Sequence, residues 1–396
     1  MKYLWIGMGL SDAQRKMIHD KGGSFLSAYV SQQAIIEGLD AQGIILDSIN
    51  SFHQISPKIM KVIEPDTWSR TGRSLDQSIG FKNRKYIRDI ERKHKLVRMA
   101  REWAEKNKDE DITVFTFQMH TPVMAAAGAI KKTNHKAQII QIVPDLPQYM
   151  DLSPSTLKKL LKKIDWLQIK HYMKSVDKYV LYAKPMADFL KLEDGRWMVM
   201  EGIIDESLQA NNAVKNNGTI SVMYSGKLDL RYGIPELLDA MKLLPENFEL
   251  WLTGGGNADG MIKERALHDG RIKCFGYFPS RQDLVNKQAE ATMLISTRKE
   301  TEIASKYCFP SKLFEYMASG NPVISCRLAG IPDEYFDYLI ELPTVTAQGI
   351  ADTIKKVAEM SEKGRNTIGE NAKRFVIEHK NNLVQTKRIM DFLKSK

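Results

Sequence analysis

The sequence predicts an α/β protein built from two doubly wound, Rossmann-like domains. Short apolar runs rich in β-branched residues alternate with amphipathic helical stretches, the rhythm of strand–helix–strand units and a parallel sheet. A chain of 396 residues is also long for a single hydrophobic core. Finally, the polar, Asn-rich segment from Gln209 to Gly218 separates two halves that each repeat the alternation.

In the first half, strands are expected at Tyr3–Met8, Ile44–Ser48, Thr113–Phe117, Ile139–Val143 and Tyr179–Tyr182. An apolar helix is expected over Phe25–Leu39, opened by Lys21-Gly22-Gly23-Ser24. In the second half, strands are expected at Ile220–Tyr224, Phe248–Leu252, Ile272–Phe275, Thr292–Ser296 and Pro322–Cys326. Helices fall between them at Pro235–Leu244, Arg281–Gln288 and Ser311–Ala318. The domain plan is then 1–204, a linker over 205–218, a second domain over 219–375, and a C-terminal helix over 376–396 that packs back towards the first domain.

The three cysteines, Cys274, Cys308 and Cys326, are odd in number and form no Cys-x-x-Cys pair. That fits reduced thiols in a cytoplasmic protein better than a disulfide framework. Tyr3–Leu10 is too short for a signal core, and no apolar run reaches membrane-spanning length. The net charge of +10 lies in residues 1–200, the remainder being balanced. Such a basic half suits an anionic membrane or nucleic acid. Nucleic acid is the weaker expectation and is not proposed as a partner, because the basic stretches lack interleaved aromatics on a recognisable nucleic-acid-binding fold.

The most informative stretch is Phe309-Pro310-Ser311-Lys312-Leu313-Phe314-Glu315-Tyr316-Met317-Ala318-Ser319-Gly320-Asn321-Pro322-Val323-Ile324. Pro310 and Ser311 start a helix, and Gly320 with Pro322 stops it. Its N-terminus favours an anion, to which Lys312 adds a full positive charge, and Glu315, one turn in, is an acceptor suited to ribose hydroxyls. Together these suggest a nucleotide-sugar site, although an ordinary capped helix has the same pattern. Lys227 and Arg231 follow the first strand of this half, where ligands of open α/β sheets bind, and are placed to meet a diphosphate. Gly226, Gly254 and Gly256 permit close backbone approach or simple turns, as do Gly22 and Gly23 in the first half. His120 and Asp145 each follow a first-half strand. His120 suits a sugar contact or a shared proton, and Asp145 either an acceptor hydroxyl or a Pro-Asp turn. No His or Cys cluster has zinc spacing, no phosphate loop of the ATPase type is present, and Asp109-Glu110-Asp111 reads as a solvated turn.

With these motifs the chain resembles the retaining GT-B glycosyltransferases of family 4, over nearly its whole length and most strongly from Tyr224 to Cys326. The resemblance implies two Rossmann-like domains facing a central cleft. It implies a nucleotide-diphosphate-sugar donor held by the second domain and an acceptor, often lipid-linked, in the first. Lys227 and Arg231 match the family's basic pair on the diphosphate; Glu315 matches its ribose-binding glutamate, with Ser311, Lys312 and Leu313 beside it. Two departures stand out. Tyr307 occupies the place of the family's frequent first glutamate, and the basic pair reads Lys then Arg, with Arg231 one residue early. The Pro310-to-Tyr316 pattern is instead that of bacterial polysaccharide enzymes of the family. No metal or other cofactor is expected, because cationic side chains and helix N–H groups serve the diphosphate. A non-catalytic GT-B subunit is the alternative that Tyr307 leaves open.

One further segment, Leu157 to Met173, pairs a Leu/Ile/Trp face (Leu157, Leu160, Leu161, Ile164, Leu167, Trp166) with lysines. A basic amphipathic helix of this kind suits an anionic bilayer surface, which places the protein on the cytoplasmic face of the cell membrane.

Overall fold

The structure, a computed structural model, describes residues 1–22, 27–53, 55–84, 87–149, 156–204, 210 and 218–395. Gly23, Ser24 and most of the expected 205–218 linker lie outside the described residues. The chain divides into two compact units: one comprises Met1–Tyr182, Met186–Gly202 and Asn382–Lys396, the other Ala183–Pro185 and Ile203–Asn381.

The first unit holds β1 (Lys2–Gly7), α1 (Asp12–Asp20), α2 (Ser27–Ala41), β2 (Leu46–Asn50), β3 (Val62–Ile63), β4 (Asp66–Trp68), β5 (Asp76–Ser78) and β6 (Phe81–Lys82). It continues through α3 (Arg88–Lys106), β7 (Ile112–Phe117), α4 (Thr121–Thr133), β8 (Gln138–Val143), α5 (Thr156–Met173), β9 (Lys178–Leu181), α6 (Pro185–Leu190) and β10 (Trp197–Val199). Its sheet runs β10-β9-β8-β7-β1-β2-β5-β4, parallel except for the β4–β5 pair. All six residues of β7 are buried, as a strand covered on both faces requires.

The second unit holds β11 (Ile220–Ser225), α7 (Ile234–Ala240), β12 (Phe248–Thr253), α8 (Asp259–His268), β13 (Ile272–Gly276), α9 (Arg281–Glu290) and β14 (Met293–Ser296). Then follow α10 (Ile303–Lys306), α11 (Lys312–Ala318), β15 (Val323–Ser325), β16 (Ile340–Glu341), α12 (Ala347–Ala358) and α13 (Glu362–His379). Its six strands are all parallel, in the order β13-β12-β11-β14-β15-β16. The chain ends in α14 (Asn382–Lys394), which packs on α2; Gln42 Nε2 donates to Thr386 Oγ1 at 2.5 Å, and Lys178 Nζ to the Phe392 carbonyl at 2.6 Å. The expected boundary at 375 falls inside α13, and the break between helices lies between His379 and Asn382.

Every expected strand is present, with ends shifted by at most two residues, and the apolar helix is described as Ser27–Ala41. The strands not expected from the sequence, β3 to β6, β10 and β16, are only two or three residues long. In β5, Asp76-Gln77-Ser78 is wholly polar, yet it lies inside the sheet, where Asp76 is fully served. It accepts from Ser48 Oγ (2.5 Å), Ser74 Oγ (2.7 Å) and the Arg70 guanidinium (2.5 Å).

Both sheets reverse their winding once. In the second unit the reversal lies between β11 and β14, and in the first between β1 and β7. Strand-end loops diverge there, which opens a crevice at the carboxyl edge of the sheet. Among the described residues, no helix is long and apolar enough to cross a membrane.

Candidate functional site

In the second unit, Lys227 and Arg231 leave β11 on one side of the reversal, and Arg298 leaves β14 on the other. Gly233 (φ 77°) joins the two loops. A Cβ there would collide with the Thr297 carbonyl, and Thr297 Oγ1 donates to the Tyr232 carbonyl at 2.7 Å. Between the first two cations sits Asp229, which no sequence motif singles out. Its carboxylate caps the short 3₁₀ turn Leu230–Tyr232 by accepting from the Arg231 N–H at 3.0 Å. It also takes the Arg231 guanidinium in two bonds (2.9 and 2.8 Å) and stands 3.4 Å from Lys227 Nζ. Its side chain is only 3% exposed, against 40% for Arg231 and 61% for Lys227. The guanidinium, above all, holds the Asp229 carboxyl far below the usual carboxylate range. A buried anion thus fixes two cations whose heads remain open to solvent.

Arg298 donates to Ser305 Oγ at 2.9 Å and lies over the Tyr232 ring, 4.8 Å from its centre, while Arg231 flanks the same ring at 5.9 Å. Lys312 places its Nζ 3.6 Å from the centre of the Tyr224 ring, and among the described residues no carboxylate pairs with it. Burial, helped by the charge of Arg298, lowers the Lys312 amine to about 7. The full charge expected of Lys312 from the sequence is weakened in the structure, because its surroundings are aromatic rings and another cation.

The start of α11 is more occupied than its sequence implied. The Leu313 N–H donates to the Pro310 carbonyl at 2.8 Å and the Phe314 N–H to the Ser311 carbonyl at 3.2 Å. Leu313 is wholly buried in the core, and the Ser311 hydroxyl makes no cap. What α11 does fix is Tyr316, whose hydroxyl donates to the Ser225 carbonyl (2.9 Å) and accepts the Ser225 N–H (2.7 Å), docking α11 on the end of β11. One turn in, Glu315 Oε1 accepts from Arg281 at 3.0 Å, so the carboxylate is oriented by the first residue of α9.

The glycines here serve loop packing. A Cβ on Gly254 would strike the Gly226 carbonyl, and one on Gly256 the Leu228 carbonyl. The Gly226 N–H donates to Thr253 (3.0 Å) and the Leu228 N–H to Gly255 (3.1 Å), lacing the loops after β11 and β12 together. Gly226 itself (φ 115°) faces open space. In the first unit Gly22 (φ 74°) also faces open space, with its N–H on the His19 carbonyl at 2.8 Å; it ends α1, whereas Gly23 is not described.

Also in the first unit, His120 precedes α4 at the β1/β7 reversal, and Asp145 follows β8 as an exposed residue. Burial, reinforced by Arg92, pushes the His120 imidazole down to about 4. Its ring meets that of His53, which follows β2, with centres 4.6 Å apart. Nothing in the sequence pattern marks this pair, since its members lie on different strand ends. Among the described residues, no three His, Cys, Asp or Glu side chains gather in a metal-binding set.

On helix α5, the residues expected to form one apolar face include four that are exposed: Leu160 (55%), Leu161 (39%), Ile164 (47%) and Leu167 (65%). The opposite side packs on the unit through buried Ile169 and through Asp165, which accepts from Thr121 Oγ1 at 2.6 Å. The side chains of Leu157, Lys158 and Lys159 lie outside the described residues.

Comparison with known proteins gives this geometry a setting. Residues 219–360 match the family described as glycosyl transferases group 1. HepE of Anabaena, solved in complex with UDP, is 14% identical over all of both chains, with a TM-score of 0.67. The lipopolysaccharide outer core galactosyltransferase WaaB is 13% identical over 99% of each chain (TM-score 0.62). Sucrose-phosphate synthase from Thermosynechococcus elongatus is 16% identical over 100% of this chain and 98% of its own (TM-score 0.65). No curated protein matches by sequence. The fold these structures share is GT-B.

Proposed function

We propose that this chain, a glycosyltransferase of the GT-B fold, takes a sugar from a nucleoside-diphosphate donor and passes it to a saccharide with retention of configuration. The observation that carries the donor assignment is the cation set at the reversal of the second sheet: Lys227 and Arg231 held by buried Asp229, with Arg298 and Lys312 across from them. Such a set binds a diphosphate and stabilises the charge that develops on it as the sugar–phosphate bond breaks. The solved complexes of HepE with UDP and with UDP-glucose support a uridine nucleotide as the first donor to try.

In this reading, Glu315 accepts the ribose hydroxyls, and the loops around Gly226, Gly254 and Gly256 border the nucleotide. Ser311 and Lys312 lie beside the phosphates, while Leu313 supports them from the core. In the first unit, His120 touches the transferred sugar and Asp145 an acceptor hydroxyl. Retention requires the incoming hydroxyl and the leaving phosphate to share one face of the sugar, so the diphosphate itself is placed to receive the acceptor's proton. Neither a metal nor another cofactor has a role in this scheme.

For the acceptor we propose a lipid-linked saccharide of surface-polysaccharide synthesis, met at the anionic inner face of the cell membrane. The exposed Leu/Ile stripe of α5, flanked by lysines, supports that placement.

A thermal-shift panel of nucleotide sugars tests the donor assignment, because a ligand that binds only the folded state raises its melting temperature. UDP-glucose is expected to raise it for the wild type and not for Arg231→Ala. A panel in which no nucleotide sugar shifts the wild type refutes the reading.

A further inference from the structure

β13 lies at one edge of the second unit's sheet, with β12 beside it and, among the described residues, no strand on its other side. Only Ile272 of its residues is buried; Lys273, Cys274, Phe275 and Gly276 are all exposed. The Leu250 N–H donates to the Arg271 carbonyl at 3.0 Å, which sets the alternation along the strand. Residues 271 and 273 turn their backbone polar groups to β12, and Cys274 turns its N–H and C=O outward. An open edge of this kind is a template for a further strand.

The side chains around it are apolar for an edge. Phe275 is 38% exposed and Tyr277, just beyond the strand, 79%. Phe275 meets Trp251 edge to face, with centres 5.8 Å apart, and stacks with Phe278 at 6.0 Å. Leu267, also exposed, extends the patch on α8, one turn after Lys263, whose charge reaches the Cys274 thiol. Lys273, the one cation of the strand, stands 4.0 Å from Glu249.

We infer that the second unit pairs with a second copy of this chain, β13 against β13 in antiparallel register about Cys274, joining two six-stranded sheets into one.

The register argues for a second copy. A twofold axis through Cys274 lets the two Cys274 residues exchange both backbone bonds, as the hydrogen-bonded pair of an antiparallel ladder does. It sets Lys273 of each copy opposite Phe275 of the other, on the face where Phe275 and Trp251 meet. Each exposed ammonium then meets an exposed ring. Ile272 falls opposite Gly276, which has no side chain to collide with it. An axis through Lys273 would put like charges face to face, and the polar groups of that residue are already turned to β12. The strand is therefore complementary to its own reverse.

The test uses the full chain under reducing conditions. Sedimentation velocity from micromolar to sub-millimolar concentration should show a monomer giving way to a species of twice the chain mass. Lys273→Glu sets a carboxylate against Phe275 twice in each dimer, and should raise the dimer dissociation constant roughly tenfold or more. Cys274→Pro removes the outward N–H, a change that edge strands tolerate, and should weaken the dimer likewise. Circular dichroism and melting check that both variants remain folded. Lys273→Glu, made at an exposed side chain, decides the matter if Cys274→Pro does not fold. A short bismaleimide should crosslink the dimer through Cys274, whose Cα atoms would stand about 5.5 Å apart, and Cys274→Ser should abolish the product. A chain that stays monomeric throughout overturns the inference. So does a dimer that Lys273→Glu leaves at wild-type strength, or one that crosslinks equally in Cys274→Ser.

Discussion

Removing Arg231 and removing Lys227 should have different consequences, although both cations face the same proposed diphosphate. Lys227 is 61% exposed and stands 3.4 Å from an anion that Arg231 already grips in two bonds. Pairs so exposed contribute roughly 0–1 kcal/mol, so Lys227→Ala should melt like the wild type. Arg231→Ala withdraws both side-chain bonds from an Asp229 carboxylate that is 3% exposed. Stripping the partner from a buried ion typically costs about 3–5 kcal/mol. Here Arg231 is itself 40% exposed, its backbone N–H continues to cap Asp229, and Lys227 remains nearby. Screening and these residual partners reduce the expected loss to about 1–2 kcal/mol. Catalysis should suffer in both variants, since losing one strong contact to developing charge costs about 2.7–4 kcal/mol, or roughly 10²–10³ in rate. The assay pairs kcat/KM for donor turnover with urea unfolding. Asp229 also supplies a pH signature. Its carboxyl is depressed on folding, so its contribution is present above the ordinary carboxylate value and fades as pH falls below it. Acid unfolding of Arg231→Ala should therefore begin at higher pH than that of the wild type. Near-normal turnover in both alanine variants would refute the diphosphate assignment. Equal stability loss in both would refute the view of Asp229 as chiefly the partner of Arg231.

Lys312 should make donor affinity pH-dependent. Its amine titrates near 7 in the free protein and is raised by a bound diphosphate, so UDP-glucose should bind evenly below pH 7 and weaken up to tenfold per pH unit above it. Lys312→Met should flatten that profile in calorimetry, and an unchanged slope would remove Lys312 from the site. Glu315→Gln should weaken UDP and UDP-glucose alike; if only acceptor affinity moves, Glu315 serves another site. Turnover should survive excess EDTA, and loss restored by magnesium or manganese would reveal a required metal. Lys162→Glu/Lys163→Glu together should abolish sedimentation with anionic vesicles while donor binding persists. Wild-type attachment should weaken as salt rises, because exposed charges are screened over about 8–10 Å near physiological ionic strength. Wild-type protein that ignores such vesicles at low salt would end the attachment proposal.

The sequence by itself determined what depends on neighbours along the chain. The period-2 and period-3.6 patterns placed the long strands and helices, because burial on both faces of a parallel sheet demands continuous apolar runs such as Ile112–Phe117. Pro310, Ser311, Gly320 and Pro322 bracketed α11, and Lys227 with Arg231 stood out because they directly follow a strand. Tertiary structure decided what depends on which strands become neighbours. The reversal between β11 and β14 brings Arg298 to the Tyr232 ring that Arg231 also flanks, and the one between β1 and β7 brings the loop of His120 to that of His53. Asp229 looked like one more polar residue in a loop until its partners could be seen. Lys312 looked like a plain cation until its aromatic surroundings and the charge of Arg298 lowered its amine. The physical reason is common to all four. Charge state, hydrogen-bond partner and burial are properties of an environment assembled from segments tens of residues apart, whereas helix and strand periodicity is written into each segment alone.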